Sequence, residues 1–123
     1  MANVLKDFGE QLEKNIPGFI AISILDIYKG INYYSKSSKD SNYDIDQDSN
    51  YILEMVRARL NGIAATQQDQ KIDDITITLT SQFHIINISG DHNFMFYLVV
   101  DATEANLTMT KALLQKYKKE ISI

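Results

Sequence analysis

The residues with the most chemical potential in this 123-residue sequence are two histidines, His84 and His92, and the acidic run Asp44-Ile-Asp46-Gln-Asp48-Ser49. A zinc site needs three or four ligands. The histidines supply two, and Asp91 is the nearest third. Two isolated histidines in a hairpin read better as ordinary strand and turn side chains. The acidic run imitates the opening of a calcium loop, which requires Gly at its sixth position and Glu at its twelfth. Ser49 and Met55 stand there instead, so the run reads as a loop that caps a helix. Asp73-Asp74 reads as a connection into a strand, not a catalytic dyad. The sequence has no Gly-x-x-x-x-Gly-Lys phosphate loop, no Gly-x-Gly-x-x-Gly fingerprint and no nucleophile elbow. With no cysteine it has no thiolate nucleophile, thiolate zinc site or disulfide. The expectation is no catalytic residue, no metal and no cofactor.

The cations are the other candidates. Arg57 and Arg59 are the only arginines, and both fall in one helical stretch. Arg57 lies off the apolar stripe and is expected to face solvent, whereas Arg59 flanks the stripe. Such an arginine is either solvated or grips an acidic partner or a phosphate in trans; the solvated reading is favoured. Lys111, Lys116, Lys118 and Lys119 suit the negative pole of a closing helix better than an anionic lipid surface, because Glu120 follows them.

The elements that must position these residues follow from periodicity. Val4, Leu5, Phe8 and Leu12 predict a short amphipathic helix over 3–15, stopped by Pro17-Gly18. Phe19 to Asp26 is apolar on both faces and predicts a central strand. Turn residues over 26–30 return the chain through a second strand at Ile31–Ser35. Residues 35–50 read as a mobile polar loop whose last residues, Asp48, Ser49 and Asn50, offer helix caps. A second helix over 50–68 carries Ile52, Met55, Val56, Leu60 and Ile63 on one stripe. Ile75, Ile77 and Leu79 alternate with threonines, Phe83–Ser89 follows, and Phe94–Val100 is again apolar on both faces. Asp101 or Thr103 is expected to cap a last helix bearing Leu107, Leu114, Tyr117 and Ile121. The order αββαβββα predicts a three-layer α/β/α sandwich around a five-stranded, mainly antiparallel sheet.

Twelve basic and sixteen acidic side chains give a net charge of −4, which argues against nucleic acid as a main partner. The longest apolar run, Gly18–Leu25, is far short of the ~20 residues of a membrane helix. No membrane insertion is expected, and the default is a single cytoplasmic domain over residues 1–123.

Ile16-Pro17-Gly18-Phe19, a hydrophobic strand ending in Asp26, Gly30 before the next strand and a Val-Val-Asp strand end at 99–101 resemble the Roadblock family of dynein-light-chain-like proteins. The likeness in order of elements spans residues 3–121. The turn over 26–30 is longer than the family's usual Asp-x-x-Gly, and the 35–50 loop is longer and more acidic. What the resemblance implies is a homodimeric adaptor, profilin-like in shape, whose second helices pack together and whose third strands pair. Ile52, Met55, Val56, Arg59 and Ile63 would then lie at the dimer interface with Ile75, Thr76, Ile77 and Thr78. The implied partner is a small Ras-like GTPase, activated or anchored by the dimer, with Glu54, Arg57, Ala58 and Asn61 as contact candidates. The resemblance implies that such a regulator repositions the GTPase's own residues and inserts no arginine finger. Two other readings stay open: a small-molecule sensor with a pocket lined by Tyr28, Tyr33 or Tyr34, and a structural subunit of a larger complex.

Overall fold

A computed structural model describes residues 2–121 and contains the elements in the expected order. They are α1 (Ala2–Asn15), β1 (Phe19–Asp26), β2 (Asn32–Ser37), α2 (Ile45–Ala65), β3 (Asp74–Thr78), β4 (Gln82–Ile88), β5 (Phe94–Asp101) and α3 (Leu107–Glu120). The strand order is β2-β1-β5-β4-β3, and each neighbouring pair is antiparallel. The strands that are apolar on both faces, β1 and β5, lie inside the sheet, because each must be covered above and below. Their even-numbered residues Ile22, Ile24, Phe96 and Leu98 meet Leu5, Phe8 and Leu12 of α1 and Leu114 of α3. Their odd-numbered residues Ala21, Leu25, Tyr97 and Val99 meet Ile52, Leu53 and Val56 of α2. The three layers are thus α1 with α3, the sheet, and α2.

Several boundaries differ from the expectation. Residues 35–37 extend β2, and α2 begins at Ile45, so the connection expected over 35–50 shrinks to 38–44. The cause is Asp44, whose side chain accepts a hydrogen bond from the Gln47 amide at 3.0 Å and so starts the helix a turn and a half early. Asp46 and Asp48 then sit in the first turn, where the helix dipole favours acids. Polarity had disguised this turn as loop; its inward residues are Ile45 and Ser49, both buried. At the far end α2 closes at Ala65, with Thr66 as its cap. The last helix is capped by neither Asp101 nor Thr103. Asn106 takes that role, accepting from the Met109 amide at 2.9 Å, while Asp101 accepts from the Thr103 amide within the preceding turn.

Gly18 fixes the entry into the sheet. Its φ is +77°, its carbonyl accepts from the Asp101 amide at 2.8 Å, and a Cβ there would lie 2.9 Å from the Asp101 carbonyl oxygen. That closest atom is backbone, so nothing flexible can yield. Gly18→Ala is expected to lower stability by about 1.5 kcal/mol. Gly90→Ala, whose added Cβ meets nothing within 4 Å, is the control. Urea midpoints that coincide for the two variants would refute this account of Gly18.

Candidate functional site

The chemistry-bearing residues gather on the α2 side of the sheet. Tyr43, in the loop before α2, and Tyr97, in β5, both donate their hydroxyls to Asp48 Oδ2; the Tyr43 bond is 2.5 Å. The two phenol oxygens lie 3.0 Å apart. His84 of β4 joins through Nδ1, 2.8 Å from the Tyr97 hydroxyl, and its Nε2 lies 2.8 Å from Gln82 Oε1. Burial, then the Asp48 hydrogen bond, pushes the Tyr43 phenol up to about 12 and raises Tyr97 further still. Burial lowers the His84 pKa, against the raising effect of Asp48. Beside this chain, the hydroxyls of Ser23 and Ser49 bond at 2.7 Å, joining β1 to α2. The arrangement fastens the first turns of α2 to three strands. Sequence reasoning treated His84 as isolated and Asp48 as a cap; their link passes through Tyr97, which is 49 residues from Asp48 in the chain. His92 lies elsewhere, in the β4–β5 turn. Among the described residues no three His, Asp or Glu side chains converge on a metal-sized site.

The remaining predicted site residues divide by the way α2 is turned. Ile52 and Val56 are buried against the chain's own sheet, so their surface is already occupied within one protomer. Met55 and Ile63 are half-buried, and Met55 borders the same core. Tyr51, Glu54, Ala58, Arg59 and Asn61 are exposed.

Arg57 departs from its expected place in solvent. Its Nε donates to the Ile27 carbonyl at 2.6 Å and its Nη2 to the Tyr28 carbonyl at 2.9 Å. The turn between β1 and β2 leaves these carbonyls without strand partners, and a guanidinium fork satisfies both. The turn itself is held by Asp26, which accepts from the Tyr28 and Lys29 amides. Two of the lysines read as a helix-pole cluster also fold back: Lys111 pairs with Asp74 at 2.9 Å, and Lys118 donates to Asn87.

β3 is an edge strand, bonded only to β4. Its Ile75 and Ile77 border the α2-side core and remain half-exposed with Thr76, while Thr78 is exposed. A cavity of about 400 Å³ lies near the C-terminal half of α2, lined by Arg57, Asn61, Ile63 and Tyr28 among others. Of the tyrosines expected in a sensor pocket, only Tyr28 is there. Tyr33 packs on Phe94, and Tyr34 lies over Gly9 of α1. No helix among the described residues is long and apolar enough to cross a membrane.

The order of elements, the antiparallel sheet and the placement of its helices define a Roadblock-type fold. The Roadblock/LC7 domain from Streptomyces avermitilis superposes with a TM-score of 0.67 at 8% identity, covering 93% of this chain and 91% of that one. Myxococcus xanthus MglB matches with a TM-score of 0.80 at 14% identity, over 98% of this chain and 86% of its own. An MglB with a tetrameric arrangement matches at 0.70 with 16% identity, over 98% and 90%. At these identities the likeness is one of fold. Neither a protein family's sequence pattern nor a curated protein matches the chain.

Proposed function

We propose that this chain is a single-domain, cytoplasmic adaptor that pairs with a second copy of itself and regulates or scaffolds a small Ras-like GTPase. One observation carries the reading: α2 exposes Tyr51, Glu54, Ala58, Arg59 and Asn61 on the same side of the sheet where edge strand β3 leaves Ile75 and Ile77 half-covered. An unpaired, half-apolar edge invites another strand, and a two-fold pairing closes both copies of the β3 edge at once, leaving only the β2 edges at the ends of the joined sheet. In this pairing β3 meets its copy along Ile75–Thr78, and Met55, Arg59 and Ile63 form the helix contact. Ile52 and Val56 support that contact from below. The GTPase docks on Glu54, Ala58 and Asn61 across the paired helices, with Arg57 shaping the adjoining turn. The chain supplies no catalytic group, so any stimulation of hydrolysis comes from repositioning the GTPase's own residues.

Light scattering on the purified chain is expected to give twice its 14.0 kDa mass at micromolar concentration. A particle of 14.0 kDa would remove the dimer. Pull-downs with Ras-like GTPases locked in either nucleotide state are expected to recover the chain with one state preferred. Failure with every GTPase, from a proven dimer, would leave the structural-subunit reading instead.

A further inference from the structure

The cavity of about 400 Å³ has a lining unlike the rest of this acidic protein. Its apolar walls are Leu60 and Ile63 over the buried Ile27, and its cation is Arg57; no Asp or Glu contributes to it, although the chain carries sixteen. Arg57 is pre-positioned, because the Ile27 and Tyr28 carbonyls hold its Nε and Nη2, leaving the Nη1 protons for another acceptor. Tyr28, Asn61, Gln70 and His92 complete its polar lining, and His92 stands apart among them. Its backbone is in the left-handed region, at φ +62°, where residues other than glycine are uncommon. Its Nε2 is the one buried side-chain nitrogen or oxygen without a hydrogen-bond partner among the described residues. Buried polar atoms are normally satisfied, and an orphan held by a strained backbone calls for a partner from outside the chain.

We propose that this cavity binds a small carboxylic acid with an apolar body, the carboxylate on Arg57 and His92 and the hydrocarbon against Leu60 and Ile63. A single guanidinium with part of its donors engaged matches a monoanion better than a phosphate, which seeks several donors. Leu60 and Ile63 favour an acid with an apolar body, and the volume falls in the range of small-ligand sites. The site borders the proposed interfaces and shares Ile63 and Asn61 with them, but its readout is ligand binding by the chain alone, so it can fail while the GTPase reading stands, and the reverse.

The test is a titration of the full-length chain with phenylacetate, followed in ¹H–¹⁵N correlation spectra. Phenylacetamide, inorganic phosphate and an apolar tetrapeptide with a free C-terminus are the comparison probes. Saturable shifts are expected at 27–30, 57–64 and 90–93, with half-saturation at about 1 mM or below. The neutral amide and phosphate are expected to bind at least about tenfold more weakly. Arg57→Gln and His92→Asn, the latter tolerating the left-handed backbone, are expected to weaken phenylacetate by a similar factor. Ala64→Phe, on an exposed helix position facing the cavity, fills the site and keeps the test alive should Arg57→Gln fail to fold. Absence of saturation, equal binding of the amide, or a wild-type response from Ala64→Phe each overturns the proposal. Tighter binding of the tetrapeptide than of phenylacetate overturns it in favour of a peptide terminus.

Discussion

Asp48→Ala is expected to lower folding stability by about 3 kcal/mol, the largest single loss outside the apolar core. The carboxylate accepts from two phenols, and charge-assisted bonds of this kind are the stronger ones. Tyr43 is half-exposed, so water can replace Asp48 there. Tyr97 is fully buried, and its hydroxyl would be left with only the Tyr43 oxygen and the His84 ring. Removing the hydroxyl along with the carboxylate should therefore recover part of the loss. In a cycle with Tyr97→Phe, the double variant is expected to fall short of the sum of the singles by about 1 kcal/mol. Urea denaturation of the four proteins measures it; strict additivity would break the claim that Asp48 acts through Tyr97.

The same chain sets a pH dependence. His84 has its pKa lowered by burial, so the folded state prefers the neutral ring while the unfolded chain titrates near 6.5. Between 6.5 and the lower folded value the unfolded state binds more protons. The His84 contribution to stability is therefore present above pH 6.5 and lost as the pH falls below it. For Tyr43 the sign is reversed. Its phenol titrates at 10.0 unfolded and about 12 folded, so its contribution holds below pH 10.0 and fades as the pH rises toward 12. Denaturation midpoints at pH 7.5 and pH 5 should differ more for the wild type than for His84→Gln; equal differences would sink the assignment to His84.

These features show which information was local. The αββαβββα order was legible because each element carries its own period: Ile75 to Leu79 alternates, and Leu5, Phe8 and Leu12 repeat along a helix. The sheet's middle was legible too, since β1 and β5 show apolar residues on both faces. The start of α2 was not, because a helix beginning Ile45-Asp-Gln-Asp-Ser-Asn has the composition of a loop, and only the Asp44 cap marks it. A cue existed in the spacing of Asp44 before Ile45, Ser49 and Ile52, which lies on one helical face. The Tyr43–Asp48–Tyr97–His84 chain had no cue of this kind. Its members sit in a loop, a helix and two strands, and only strand registry brings them together: His84 opposite Val99 places its ring beside Tyr97 across the ladder. The role of Arg57 was hidden for the same reason, since its acceptors are backbone carbonyls and leave no trace in side-chain identity.

That hidden role changes what a charge reversal on α2 reports. Arg57→Glu is expected to lose about 2 kcal/mol of stability, because two guanidinium bonds disappear and a carboxylate is brought toward the Ile27 and Tyr28 carbonyl oxygens. The site is only half-buried, so water can rehydrate those carbonyls, which keeps the loss below that of Asp48→Ala. Amide exchange should quicken at 27–31 and stay slow in β5, since the turn loosens before the sheet does. Within one protomer, Arg59→Glu and Glu54→Lys, at exposed positions with no bond to the hairpin, should each cost no more than about 0.5 kcal/mol, any further loss at Arg59 coming from the proposed dimer contact. A partner lost by Arg57→Glu alone has therefore lost a folded turn, whereas one lost by Arg59→Glu or Glu54→Lys has lost a contact. An unchanged urea midpoint and unchanged exchange in Arg57→Glu would return this arginine to the solvent-facing role its position on the helix predicts, and its effect on binding could then be read directly.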